Sequence, residues 1–193
     1  MVNNKSKPVS QEDPLGCGVA CTAFLLEKTY KEAKQLFDAE KVHTYGCDAV
    51  DIAYALNVSG LSYRWARYNK EKIPDKSVVF VGRNDYYKDG HYLVRCGDKW
   101  MDPWGTTHGF DNIKAIYNDD LHGEVEWIIY PEEVQKIKGA NIDIDFSKIP
   151  GMTWEPGKCP WGKEHKCAVK NVSICDYFGG VEAPDTIICK YKK

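Results

Sequence analysis

His91-Tyr92-Leu93-Val94-Arg95-Cys96-Gly97-Asp98-Lys99-Trp100-Met101-Asp102 reads as two short β-branched and aromatic runs joined by Gly97-Asp98, a hairpin signal. His91 begins the first strand and Asp102 ends the second, so a hairpin brings a titratable imidazole and a carboxylate together at its open end. Further short runs on either side, Leu61–Trp65, Ser77–Val81 and Val125–Tyr130, are bounded by Gly, Asp, Asn or Pro and read as strands. N-terminal to them the apolar spacing is helical. A mostly buried helix is expected from Cys17 through Val19, Ala20, Ala23 and Phe24, with Gly16 and Gly18 at its start. A second covers Tyr30 to Ala39, and a third covers Cys47 to Leu56, with Val50, Ile52, Ala53 and Leu56 inward and Asp48 and Asp51 in its first turns. One more short helix is expected over Phe110 to Tyr117. Helices first and an antiparallel meander after them make an α+β protein.

The chain has 193 residues, 43% hydrophobic and 28% charged, which fits one ordinary domain plus an appendage and excludes a disordered or fibrous chain. Lys plus Arg number 26 against 28 Asp plus Glu, so no basic face is expected and nucleic acid is not an expected partner. The longest mostly apolar run, Val19 to Leu26, is far short of a membrane span. The first fifteen residues carry two lysines and no apolar core, so the expectation is a cytoplasmic protein without a secretory signal or membrane partner. In that compartment thiols stay reduced, and the eight cysteines read as reactive groups or metal ligands before bridges.

Cys17 stands at the start of the first helix, where the helix dipole and free N–H groups lower a thiol pKa and stabilise a negative oxygen beside it. Gln11, six positions upstream, can donate a second hydrogen bond to such an oxygen. His91 supplies a base facing the thiol, and Asp102 can fix its tautomer.

Taken in order, Gln11-x5-Cys17-Gly18-x-x-Cys21, then Gly90-His91-Tyr92-Leu93-Val94, then Asp102-Pro103, the sequence resembles the papain-like cysteine peptidases of the bacteriocin-processing, double-glycine leader peptidase type. The likeness extends over roughly residues 8–131 and ends at the strand Trp127-Ile128-Ile129-Tyr130-Pro131. It implies a papain-like fold with Cys17 as nucleophile, His91 as base, Asp102 as third member and Gln11 in the oxyanion hole. Such peptidases often form part of an exporter and cut a leader peptide after two glycines. This sequence departs from that pattern in having no transporter segment and a cysteine-rich tail instead.

Each residue also has a plainer reading. A cysteine in an apolar helix is usually core, a single histidine usually lies at the surface or caps a helix, and Asp-Pro is a common turn. Cys21, one turn deeper on the same helical face, and Cys47 and Cys96, in apolar stretches, read as core thiols. His43 and His122 lack context, and His108 is the fallback base. Trp65, Tyr86, Tyr87 and Trp104 are candidate groove residues, or rim packing.

The expected organisation is a peptidase domain over residues 1–131, a connector over 132–150 and a cysteine-rich tail over 151–193. The tail carries Cys159, Cys167, Cys175 and Cys189, with His165 between them. So short a segment buries too little surface to fold unaided, and three supports are open: docking on the main domain, two disulfides, or a structural zinc held by the four thiolates or by His165 in place of one. Zinc is the metal expectation there, and no cofactor is expected for catalysis. Gly179-Gly180, the chain's one Gly-Gly, reads as a turn, with self-processing as the alternative. Asn57-Val58-Ser59 and Asn171-Val172-Ser173 match the glycosylation pattern by chance. The expected function is cleavage of a peptide or amide bond in a peptide or protein substrate through a thioester. The alternatives are acyl transfer or deamidation on the same fold, and a non-catalytic binding module.

Overall fold

Side-chain caps decide where the N-terminal helices start. Thr29 and Glu32 form a reciprocal capping box at the start of α2 (Tyr30–Lys34), Asp38 caps α3 (Ala39–Thr44), and Asp48 with Asp51 forms a second box on α4 (Ala49–Val58). The single helix expected over Tyr30–Ala39 is therefore two, because the Asp38 side chain accepts the Lys41 N–H and begins a new helix. The first helix, α1 (Cys17–Leu26), has no side-chain cap and is buried along Gly18–Ala23. It ends where Glu27 takes a left-handed conformation, φ 55°. In this computed structural model residues 7–105, 113–145, 151–162, 166–169, 172–173, 175–182 and 184–191 are described, and the chain divides into two compact units, Met1–Pro131 and Glu132–Lys193.

The turn before α1 is pinned from α2. Asp13 accepts hydrogen bonds from the Tyr30 hydroxyl and the Lys34 ammonium, both at 2.8 Å, and its carbonyl accepts the Gly16 N–H at 3.0 Å. A Cβ on Gly16 would lie 2.0 Å from the Tyr30 hydroxyl, so only glycine fits that corner. Gly18 lets α1 close on α4, where a Cβ would sit 3.0 Å from Ile52.

The sheet of the first unit has the order β1-β6-β2-β3-β4-β5, every neighbouring pair antiparallel. Its strands are β1 (Tyr63–Arg67), β2 (Val78–Val81), β3 (His91–Cys96), β4 (Lys99–Asp102), β5 (Ile116–Asn118) and β6 (Val125–Pro131). Alternation sorts the side chains onto two faces. Val78, Tyr92, Val94, Met101 and Ile129 pack with Cys21, Ile52 and Leu56 of the helices, while Val79, Val81, Leu93, Trp100 and Ile128 form a second cluster with Ile73 and Tyr87. The α+β expectation holds, and the hairpin β3–β4 pairs Val94 with Met101 and Cys96 with Lys99.

Two further expectations for this unit fail. Ile116-Tyr117-Asn118 is a strand on the edge of β4, pairing Asp102 with Ile116. Of the expected helix Phe110–Tyr117, residues 110–112 lie outside the described residues, and 113–115 are not helical. The bonding edge of β4 overrides a weak helical spacing. Val50, expected inward, is 48% exposed, because the capping box at Asp48 sets the rotation of α4.

The second unit is all β among the described residues. One sheet runs β11-β10-β9-β8 and the other β12-β13-β7. The strands are β7 (Gln135–Ile137), β8 (Asn141–Asp145), β9 (Gly151–Glu155), β10 (Ala168–Val169), β11 (Val172–Ser173), β12 (Phe178–Glu182) and β13 (Thr186–Cys189). The stretch 132–150, expected to be a connector, instead supplies β7 and β8, which pair with β13 and β9. Backbone pairing gives a partner to a stretch too polar to show a period. Gly179-Gly180 is not a turn but part of β12, where the register shifts between Phe178 and Gly180. A small core of Ala140, Trp154, Cys167, Ala168 and Ile187 holds this unit. Among the described residues no helix is long and apolar enough to cross a membrane.

Candidate active site

The start of α1 and the open end of the β3–β4 hairpin bring Cys17, His91 and Asp102 together. The His91 Nε2–H donates to Asp102 Oδ1 at 2.8 Å, which leaves Nδ1 for the hydrogen bond to the Cys17 thiol. His91 is 4% exposed and Asp102 is fully buried. Burial alone would raise the Cys17 thiol. The His91 hydrogen bond and charge, with the N–H groups of Tyr92 and Gly18, hold it below its ordinary value. Burial opposes a charged imidazole on His91, yet Asp102 and Cys17 raise its pKa to about 9. Each of the two thus favours the charged form of the other, the thiol shifted down and the imidazole shifted up.

Asp102 is saturated with donors. Burial would raise its carboxyl, and its hydrogen bonds keep it below the usual value. Oδ1 accepts the Trp104 N–H at 2.8 Å as well as His91, and Oδ2 accepts the Tyr87 hydroxyl at 3.1 Å and Asn118 Nδ2–H at 3.0 Å. The Tyr87 ring also stacks on His91 at 4.6 Å. Asn84 holds Tyr87 there. Its Oδ1 accepts the N–H groups of Tyr86 and Tyr87, and its Nδ2 donates to the carbonyls of Gly82 and His122. Tyr86 stacks on His122 at 4.2 Å.

Gln11 lies where expected but is oriented otherwise. Its N–H donates to the Pro103 carbonyl at 3.3 Å, next to Asp102, and its side chain is 3% exposed. Both Nε2 hydrogens are committed, to the carbonyls of Asp13 at 3.1 Å and Pro14 at 3.0 Å, while Oε1 is buried without a partner. In this arrangement Gln11 offers no N–H to an oxyanion.

A cleft of about 870 Å³ opens over Cys17, His91 and Gln11. The four expected groove residues, Trp65, Tyr86, Tyr87 and Trp104, line it with Phe80 and Trp127. Trp65 is 45% exposed there, and Tyr86 46%. The other thiols of this unit differ in kind from Cys17. Cys21 is buried and pushed well above its ordinary value by burial first, and burial takes Cys47 to about 12 and Cys96 to about 11. His43 is exposed on α3, and the fallback base His108 lies outside the described residues.

In the second unit all four cysteines are free thiols. Cys167 is pushed up to about 11, by burial first and then by Cys175, Cys159 and Cys189, so the four are electrostatic neighbours. They do not form a ready metal shell: among the described residues no three His, Cys, Asp or Glu are grouped to hold a metal ion. His165 lies outside the described residues.

Sequence reasoning missed Asn84, Tyr87 as a partner of Asp102, and Asn118. Asn118 was hidden by the mistaken helix. Asn84, in Asn84-Asp85-Tyr86-Tyr87, carried an Asx-turn signal that could have been read.

No family model and no curated protein matches the chain. Among solved structures it is similar to the peptidase domain of Streptococcus ComA, a bi-functional ABC transporter involved in a quorum-sensing pathway, at 18% identity and a TM-score of 0.42 over 65% of this chain and 96% of that one.

Proposed function

We propose that the chain is a cysteine peptidase or isopeptidase whose nucleophile is Cys17. The observation that carries this reading is the relay from the half-buried Cys17 through the buried His91 to a fully bonded Asp102, opening on an aromatic-lined cleft. The Cys17 thiolate attacks the scissile carbonyl carbon, His91 gives its proton to the leaving amine, and a thioester remains. Water then attacks the thioester, His91 takes one of its protons, the acid leaves, and the thiol is restored. Asp102 holds the imidazole and stabilises its charged form. The tetrahedral oxyanion is held at the start of α1, where the backbone N–H of Cys17 lies in the first turn. Gln11 joins that N–H once its amide releases the Asp13 or the Pro14 carbonyl. The aromatic wall of Trp65, Phe80, Tyr86 and Trp127 suits a peptide with bulky apolar side chains.

Incubating the chain with a mixed peptide pool and reading the products by mass spectrometry tests this. Cleavage with water added to the acid product, absent in Cys17→Ala, supports hydrolysis. Products that carry an added amine in place of water point to acyl transfer. A folded wild-type chain that forms no thioester with any peptide or activated ester contradicts the reading.

A further inference from the structure

The second unit repeats one small pattern three times: Cys159-Pro160-Trp161, Cys175-Asp176-Tyr177 and Cys189-Lys190-Tyr191 each place an aromatic two residues after a cysteine. The three aromatics meet. Trp161 stacks on Tyr177 at 5.1 Å and packs on Tyr191 at 4.0 Å, and Tyr177 and Tyr191 are 5.4 Å apart. Three chain segments thus converge, each carrying a cysteine two residues before its aromatic.

The backbone tightens this convergence. Cys159 and Cys175 each open a turn in which the carbonyl accepts an N–H from three residues on, Gly162 and Phe178, both at 2.9 Å. Cys189 pairs with Phe178 across the β12–β13 ladder, and the Lys190 N–H donates to the Tyr177 carbonyl at 2.7 Å. Cys167 directly precedes β10 and donates its N–H to Trp154 of β9 at 2.7 Å, and Trp154 stacks on Phe178. Two cysteines on turns and two at strand ends are thus tied into one network of backbone and ring contacts through Phe178 and the Trp161–Tyr177–Tyr191 cluster, without forming a closed ligand shell.

The unit also needs support. Its core of Ala140, Trp154, Cys167, Ala168 and Ile187 is small for a segment of its length. We propose that Cys159, Cys167, Cys175 and Cys189 bind one zinc ion as a tetrathiolate that staples this unit. The thiols stand more loosely than a ligand shell, so binding draws the two turn cysteines, Cys159 and Cys175, onto Cys167 and Cys189. Each thiol releases a proton to solvent as its Zn–S bond forms, and no electron is transferred. The site lies outside the peptidase unit, so it stands or falls independently of the proposed function.

The test uses the full chain, purified under reducing conditions without chelator, with bound metal measured after zinc addition and desalting. About one zinc per chain is expected. Cys159→Ser and Cys175→Ser should each lose it, whereas Cys17→Ala and Cys96→Ser should retain it. Cobalt(II) should give the visible bands of a tetrahedral thiolate site. If the serine variants fail to fold, alkylation of the wild-type chain decides: zinc should protect four thiols, and a strong chelator should release them. Less than about a half-equivalent of zinc overturns the proposal. So does an intact mass short by the hydrogens of two disulfides.

Discussion

Ile52, Leu56, Val78, Val94, Met101 and Ile129 of the first unit are fully buried on one face of a six-stranded sheet, whereas in the second unit Ala168 and Ile187 are the fully buried apolar residues among those described. The thiols differ in the same way. In the first unit one cysteine, Cys17, is set apart by its position and partners, and the others are packed as core. In the second, Cys175, Cys159 and Cys189 each act on the buried Cys167. A unit with a larger core can bury a set of hydrogen-bonded polar groups such as His91 and Asp102, because apolar burial elsewhere offsets the cost of ordering them. A unit with a thinner core has less to offset that cost, and the proposed zinc would supply the difference.

The sharpest way to break this contrast is at Asp102. Asp102→Asn keeps the shape but cannot hold the His91 imidazolium, and should lower peptide turnover about 10²- to 10⁴-fold while leaving bound zinc unchanged. Loss of zinc in that variant would mean that the two units are not energetically separate.

The next effect is in the pH dependence of stability. The raised pKa of His91 contributes stability that is present below about 6.5 and lost as pH rises through about 9. The lowered pKa of Cys17 contributes stability that is present above the ordinary thiol pKa and lost as pH falls through the folded value. The two contributions run in opposite senses with pH, so the fall in stability of the wild-type chain as pH rises from about 6.5 to about 9 should be shallower than that of a chain without the Cys17 thiol. In Cys17→Ala only the His91 contribution remains, and stability should fall with rising pH by up to about 1.4 kcal/mol per unit. Chemical denaturation at a series of pH values measures both, and a flat profile in Cys17→Ala would show that Asp102 alone does not raise His91.

How much of this was legible follows from where the signals lie. The hairpin carrying His91 and Asp102 was legible because β-branched and aromatic runs flank Gly97-Asp98, and the start of α4 because Asp48 and Asp51 mark a first helical turn. Cys17 was legible by its place at the start of an apolar helix. The orientation of the Gln11 amide was not, since it depends on the carbonyls of Asp13 and Pro14 brought close by a turn. Nor was β5, whose three residues are a strand only because the edge of β4 receives them. β7 escaped for a similar reason, since its partner β13 lies far along the chain, whereas β8 pairs with the nearby β9 and was missed because its sequence is polar.

A strong chelator sharpens the contrast from the other side. It should speed proteolysis within residues 132–193 by about tenfold or more and leave 1–131 resistant, as mass mapping of a limited digest would show. Equal sensitivity of both units would contradict a local staple.

The smallest effect is expected at Tyr87→Phe, which keeps the stack on His91 and removes one of the two donors to Asp102 Oδ2. A loss of about fivefold in kcat with KM unchanged fits one hydrogen bond of about 1 kcal/mol. An unchanged kcat would assign Tyr87 to packing alone.

The central claim concerns a single sulfur. Brief treatment of the native chain with limiting iodoacetamide near pH 6, followed by peptide mass mapping, compares Cys17 directly with Cys21, Cys47 and Cys96. Stoichiometric labelling of Cys17 before the other three is the expected result, because the pairing with His91 lowers its pKa whereas burial raises those of the others. If Cys17 is labelled no faster than Cys47, the low-pKa nucleophile does not exist and the catalytic account fails with it.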